Sequence, residues 1–422
     1  MTAPLRIIFG TFGTLGEVQP VFAIAETLRA RGHEIVVLAP AVYEQAARAL
    51  GFDFGAICTA EWHDRFISQK LLWHPNAGYP LLARGIAEMV EPTFEAVRNH
   101  HAPGRTVLVL SWMFLGGRIA RDALHIPTVT MHPSPAVFRG RFDPPVLPPL
   151  PFVKDAPRWN DLWFRAIDLL MDQLLAGSVN RLCARLGLPR VSRLLHHWIH
   201  SPDRVIGLFP PWFASMQPDW PQQAVLTGFP LYDGGKEVLL SPALSRFLND
   251  GSPPIAFFTG TGIRHAASFF RTAVEICKAS GHRGVLLSSF PENFATPLPT
   301  TIHVEPYAPF SQLLPRSAAF VHHGGIGSIA QALAAGTPQI AVPSAFDQAD
   351  NGARLSRLGV GVSLPPGKFN ARRGAEALSR VLGEDCLRAA AAAKASFSAA
   401  QPREQSADLV ERAFAEPHRS AA

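Results

Sequence analysis

Along the first half of the chain, short β-branched runs alternate with longer stretches whose apolar positions recur every three or four residues. Leu5–Thr11 predicts a strand and Val18–Arg31 an amphipathic helix with Pro20 near its first turn. Gly32 ends that helix, and Glu34–Ala39 predicts a second strand. Further strands are expected at Thr106–Leu110, Ile126–Met131 and Arg204–Phe209. Strands separated by helical stretches of this length imply parallel βαβ units. The rhythm restarts at Pro254–Thr259 and runs through Gly284–Ser288, Thr301–Val304, Ala319–His322 and Gln339–Val342, with helices at Gly327–Ala335 and Gln348–Leu358.

The middle breaks this rhythm. Asp143 to Pro157 holds Pro144, Pro145, Pro148, Pro149, Pro151 and Pro157, which block strand pairing and mark a surface loop or lid. The helical stretch Arg158–Leu186 follows, with Trp159, Trp163, Phe164, Leu169, Leu170, Leu174 and Leu175. Two readings stand for it: a helix packed on its own domain, or an apolar surface for a ligand or membrane. Pro221, Pro230, Gly234 and Gly235 loosen the chain between Trp220 and Asp250. The organisation expected is therefore α/β, with two doubly wound domains facing across a cleft: residues 1–220, a linker at 221–250, and residues 251–400, with 401–422 as a terminal helix.

Composition narrows the function. A chain of 422 residues suits two domains of about 200 residues each. At 47% hydrophobic and 17% charged it is not a disordered polymer. The net charge of +6 favours anionic ligands or an anionic membrane surface. Lysine and arginine are dispersed without a nucleic-acid motif, so no nucleic acid partner is expected. Cys58, Cys183, Cys277 and Cys386 lie far apart, which fits neither a zinc finger nor a disulfide scaffold. The strand so close to Met1 leaves no room for a secretory leader, and Val107–Gly117 falls short of the roughly 20 residues that span a bilayer. A cytoplasmic protein, at most peripheral to a membrane, is expected.

The strongest chemical signal is Val321-His322-His323-Gly324-Gly325-Ile326-Gly327-Ser328, between a strand and a helix. Glycines let the backbone approach a ligand, and the helix start offers unpaired amides and a positive dipole end suited to a diphosphate. His323 and Ser328 add side-chain donors. The run is neither GxGxxG nor Walker A, and a plain tight turn is the bland reading. Asp347-Gln348-Ala349-Asp350-Asn351 opens the next helix, at the same sheet edge. Carboxylate and amide groups beside a phosphate site match sugar hydroxyls, although helix capping alone accounts for one acidic residue.

The run from His322 through Gly336-Thr337-Pro338-Gln339 to Asp347-Gln348 and Asn351 resembles the donor-binding signature of family 1 glycosyltransferases, which have the GT-B fold. Gly10-Thr11-Phe12-Gly13-Thr14-Leu15-Gly16-Glu17-Val18-Gln19-Pro20 is similar to the first strand, loop and helix of bacterial members. The resemblance spans nearly the whole chain. Trp198–Pro202, Leu208–Ala214 and Thr227–Gly234 are most similar to the rhamnosyltransferases of rhamnolipid biosynthesis. It implies an inverting, metal-independent transfer of L-rhamnose from dTDP-L-rhamnose to a 3-(3-hydroxyalkanoyloxy)alkanoate, with no cofactor.

Carried onto this sequence, the resemblance assigns His323, Gly325, Gly327 and Ser328 to the diphosphate, with Thr261 on the Gly260–Gly262 turn adding a contact. Tyr307 falls near the nucleobase, and Asp347 and Gln348 at the sugar hydroxyls. Gln331 stands where many plant relatives have a ribose-binding Glu, which fits a deoxyribose donor. Glu17 stands where bacterial relatives have Asp and plant ones His, and is the expected base. His132, Trp163 and Phe164 are the candidate acceptor contacts. The expected partners are the dTDP-sugar and a lipid-like hydroxy acid; the inner membrane and the enzyme that makes the acceptor are candidate docking partners. The terminal helix near Glu404–Phe414 would cross back to the first domain.

Other readings fare worse. His196 and His200 are spaced i,i+4, but the Glu of HExxH is absent and no third metal ligand is evident. No G-x-S-x-G elbow supports a serine hydrolase. The runner-up within the resemblance is a glycosyltransferase of the same fold acting on another apolar alcohol, a sterol or a polyketide; nucleotide-sugar epimerases also share the fold, and an idle sugar-nucleotide-binding module is the non-catalytic reading.

Overall fold

The computed structural model describes residues 4–234, 238–398 and 401–416; Gly235 of the expected linker lies outside them. Two parallel sheets organise the chain. The first holds β1 (Arg6–Gly10), β2 (Glu34–Ala39), β3 (Asp53–Ala56), β4 (Thr106–Ser111), β5 (Thr128–His132), β6 (Arg204–Gly207) and β7 (Ala224–Leu226). Its order is β3-β2-β1-β4-β5-β6-β7. The second holds β8 (Ile255–Phe258), β9 (Gly284–Leu287), β10 (Ile302–Glu305), β11 (Ala319–His322), β12 (Gln339–Ala341) and β13 (Gly361–Ser363), in the order β10-β9-β8-β11-β12-β13. Central strands such as Ile7-Ile8-Phe9 and Val107–Leu110 are apolar at every position because helices cover both sheet faces.

Three short strands escaped the sequence pattern: β3, β7 and β13. All three lie at sheet edges, where only part of each strand is buried and the apolar signal thins. The position of β7 corrects the domain limits, since the first sheet runs past residue 220 to Leu226, inside the expected linker.

The first helix starts earlier than its apolar pattern. Leu15–Ala30 is helical, so Glu17 lies in the first turn rather than on the preceding loop. An acidic side chain there is favoured by the positive end of the helix dipole. Val18, Val21, Phe22, Ile24 and Leu28 face the core, where they meet Ala407, Leu409, Val410 and Ala413 of the last helix, Pro402–Ala415. That helix follows the second sheet in sequence yet packs on the first domain. Arg31 holds it through Asp408 (2.7 Å), Glu411 (2.9 Å) and Glu404, and Thr227 Oγ1 meets Ser406 Oγ at 2.9 Å.

The proline-rich segment is tied down from both sides. Asp143 pairs with Arg357 (2.8 Å) and Arg354 (3.4 Å) of the helix Gln348–Arg357, and the Val146 amide donates to Asp350 at 3.0 Å. Asn160 closes the other end, accepting from the Val153 amide and donating to the Arg141 and Val153 carbonyls.

Candidate active site

In each sheet the strand order reverses direction beside the first strand, between β1 and β4 and between β8 and β11. Loops leaving such a switch point diverge and open a crevice. The loops after β1, β8, β11 and β12 meet in one interdomain cleft of about 720 Å³. The domains approach closely: a Cβ on Gly262 would lie 2.6 Å from Trp73 and 3.1 Å from Thr14, both on the first domain.

Second-domain residues build the polar half. His322 is fully buried; its Nδ1 accepts from the Gly324 amide (3.1 Å), so its Nε2 carries the proton and donates to Gln339 (3.0 Å). That tautomer pins the turn after β11. Gly324 adopts φ +84°, a conformation open to glycine, and Gly325 leaves room for the next-door ring, since a Cβ there would fall 2.4 Å from His323 Nε2. His323 lines the cleft, its Nδ1 has no hydrogen-bond partner, and burial pulls the imidazole down to about 4. It is therefore a neutral donor or acceptor at physiological pH. The helix Ile326–Ala335 begins beside it, with Gly325, Gly327, Ser328 and Gln331 all on the cleft wall and open space around Gly327.

The turn after β12 is braced by side chains. Gln348 Oε1 accepts from the Ser344 amide (2.8 Å), the Ser344 hydroxyl (3.0 Å) and the Ala345 amide (3.1 Å), so its amide nitrogen is what it offers the cleft. Phe346 sits at φ +55°, strained for a non-glycine residue, and packs edge-on against Trp73 and Tyr79 of the first domain. Asn351 knits three segments: it donates to the Gly324 carbonyl (3.1 Å) and Asp347 (2.9 Å), and accepts from Ser134 (3.2 Å). Neither acidic residue caps the helix. Asp347 makes no side-chain cap bond, and Asp350 is buried against Arg354 at 2.7 Å.

Glu17 enters from the first domain. Burial in the cleft and then the charge of Asp347 push its carboxyl up to about 8. Its loop is fixed at the Gly13 carbonyl, which accepts from His63 Nε2 (2.8 Å) and Tyr43 Oη (3.1 Å). Thr261, Tyr307, Gln331, Gln348 and Asp347 line the same cleft. The Tyr307 hydroxyl is taken by the Asp233 carbonyl (2.7 Å), and Gln331 Nε2 by the Tyr232 carbonyl (3.1 Å), leaving the ring and the amide oxygen, respectively, to a ligand.

The first-domain half is apolar, walled by Phe66, Leu72, Ile86, Met113, Leu147 and Phe164 among others. Two acceptor expectations need correction. His132 ends β5 but turns inward: it is fully buried, bonds His200 at 2.9 Å and stacks edge-on against Phe138. Trp163 lies off the cleft wall beside Trp159, because it sits about 100° around the helix from Phe164, which does line the wall. Sequence reading missed Arg139, the only lysine or arginine among the described residues lining the cleft. It pairs with buried Asp168, donates to the Phe164 carbonyl (2.9 Å) and lies over the Phe164 ring at 4.7 Å. No local motif announces it.

Residues 287–412 match the family model described as erythromycin biosynthesis protein CIII-like, C-terminal domain. The O-mycaminosyltylonolide 6-deoxyallosyltransferase of Streptomyces fradiae is 29% identical over 397 residues, covering 86% of each chain. The glycotransferase of kitacinnamycin superposes with a TM-score of 0.75 at 18% identity, over 98% of this chain and all of that one. The glycosyltransferase VinC, solved in complex with dTDP, superposes with a TM-score of 0.67 at 18% identity, over 97% of this chain and 99% of that one. The architecture is that of the GT-B glycosyltransferases, and the sequence is similar to that of glycosyltransferases over most of its length.

Proposed function

We propose that the chain is an inverting, metal-independent rhamnosyltransferase that moves L-rhamnose from dTDP-L-rhamnose to the hydroxyl of a 3-(3-hydroxyalkanoyloxy)alkanoate. The observation that carries it is the two-sided cleft: hydrogen-bonding groups on the second domain, an apolar wall with one cation on the first. A nucleotide sugar fits the first half and an acyl-chain acid the second. The dTDP found in VinC and the non-acidic Gln331 at the ribose position support a deoxyribose nucleotide.

The acceptor hydroxyl oxygen bonds to the anomeric carbon from the face opposite the diphosphate, and its proton passes to Glu17. The carbon–oxygen bond to the diphosphate breaks, and dTDP leaves with the electron pair. An alcohol needs that base, because its own proton is too tightly held. Charge developing on the leaving group is met by the amides of the 325–328 helix start, by His323 and by Ser328. Asp347 and the Gln348 amide hold the sugar hydroxyls. These donors do the work a metal does elsewhere, so activity is expected to survive chelator.

Assay of the purified protein with dTDP-L-rhamnose, dTDP-glucose and UDP-glucose, products read by mass spectrometry, tests the reading. A mono-rhamnosylated hydroxy acid formed from the first donor alone supports it; sugar-nucleotide isomer formed without acceptor would point to an epimerase instead. The tylonolide-modifying relative favours a second reading, a polyketide or other apolar alcohol as acceptor. Product from such an alcohol, with none from the hydroxy acid, would establish it.

A further inference from the structure

The helix Pro157–Arg185 buries one face, with Phe164, Met171, Leu175, Val179 and Leu182 in the core. Its opposite face is also apolar. Trp159 (44% exposed), Leu162 (60%), Leu169 (66%), Leu170 (55%) and Leu174 follow one another at helical spacing, with exposed Val153 beside them. Leu170 belongs to this strip and to the cleft wall at once, and its neighbour Ile167 also lines the cleft. The strip therefore runs into the mouth of the apolar half.

Charge says what covers it. Between residues 141 and 193, Arg141, Lys154, Arg158, Arg165, Arg181, Arg185, Arg190 and Arg193 are exposed, whereas Asp155 is the one carboxylate as open to solvent; Arg141, Arg165, Arg185 and Arg193 have carboxylate partners, which leaves Lys154, Arg158, Arg181 and Arg190 to give the face its basic excess. A second copy seated here by two-fold symmetry would set these cations against their own equivalents and close the mouth. An anionic lipid surface satisfies both the apolar strip and the basic rim. We propose that this face docks peripherally on an anionic bilayer, so that an amphiphilic acceptor passes from the lipid into the cleft past Leu170. No helix among the described residues is long and apolar enough to cross a membrane, in keeping with docking on the surface. The inference rests on the first-domain half being the acceptor site.

The test is flotation of the full chain with phosphatidylglycerol-containing vesicles and with pure phosphatidylcholine vesicles, without donor or acceptor. The wild type is expected to float with the anionic vesicles and to be released by salt. Leu162→Glu with Leu169→Glu, and separately Lys154→Glu with Arg158→Glu, should each weaken vesicle binding by about tenfold or more. None of these four side chains lines the cleft, so turnover of detergent-dispersed acceptor should persist. Thermal melts of both double variants establish that they are folded. A wild type that stays unbound, variants that float as well as wild type, or a concentration-dependent dimer lost in the Leu169→Glu variant would each overturn the proposal. Flotation reads binding alone, so it stands or falls separately from the rhamnosyl assay.

Discussion

Glu17 and Asp347 confront each other across the interdomain cleft, one from each domain, and the charge of Asp347 adds to burial in lifting the Glu17 carboxyl to about 8. A base must be ionised to act, so kcat/KM is expected to rise with pH and level off above about 8. Asp347→Asn removes the repelling charge and should move the inflection to lower pH. A pH–rate profile flat between about 6 and 9 would remove Glu17 as the base.

The same carboxyl carries a stability cost with a definite sign. Its folded-state value, about 8, lies above the ordinary 4.5, so the folded protein holds the proton more tightly than the unfolded chain. Wild type therefore loses stability as pH climbs between those values. Glu17→Gln removes the ionisation, and its melting temperature should exceed wild type by more at pH 9 than at pH 5. Turnover should fall by roughly 10²–10⁴-fold, with dTDP affinity retained by titration calorimetry.

Donor binding is expected to depend on His323. Deleting a hydrogen bond to a charged group costs about 1.5–3 kcal/mol, so His323→Ala should weaken dTDP binding roughly 10- to 100-fold. Gly325→Ala tests the same ring indirectly, because its new methyl would fall 2.4 Å from His323 Nε2 and drive the imidazole aside. Calorimetry with dTDP should show a loss for both variants; unchanged affinity in the first would end the diphosphate reading.

Arg139 should distinguish acid acceptors from neutral ones. Its cation is half of a buried pair, and stripping the charge outright would strand Asp168. Arg139→Lys keeps the charge and loses the planar fork. The variant is expected to raise KM for the free hydroxy acid about tenfold and to leave KM for its methyl ester unchanged. Equal KM changes for acid and ester would show that Arg139 does not read the carboxylate.

The clasp between the proline-rich segment and the second domain has a cost that urea unfolding can read. Arg354 is almost fully buried and leans on Asp350 at 2.7 Å, with Asp143 farther away at 3.4 Å. Asp350→Ala leaves that guanidinium with the weaker partner alone and should cost about 3 kcal/mol. A loss below about 0.5 kcal/mol would mean that Asp143 compensates fully.

Ten of the thirteen strands among the described residues were legible, nine of them interior strands, which write themselves as largely apolar runs, as in Val107–Leu110. Strands β3, β7 and β13 were not, since Asp53-Phe54-Gly55-Ala56 carries too few apolar positions and β7 and β13 are only three residues long. The convergence of the polar wall was legible for a related reason: His323, Ser328, Asp347 and Gln348 follow strand ends, and parallel topology brings such ends together. The apolar wall was not. Whether His132 looks into the cleft or into the core depends on which face of β5 it occupies, and Trp163 and Phe164 differ by one helical step. Arg139 reaches the wall from a short helical turn at φ +54° that no periodicity reveals.

The chain passes between the domains twice, after β7 and again before the last helix, and both passages occur at one place. A Cβ on Gly228 would lie 3.4 Å from Pro402, and Arg403 donates to the Leu231 carbonyl while approaching Glu26 at 3.4 Å. Two tethers bound side by side act as a single pivot, whereas tethers set far apart would lock the halves. Asp143, Val146 and Ser134 tie the first domain to the helix of residues 348–357, whose Leu355 shares an apolar cluster with Phe229 beside that pivot. Because Leu147 to Leu150 of that same segment also wall the apolar half, a piece of chain that helps tie the domains together is one that a ligand in that half of the cleft would touch.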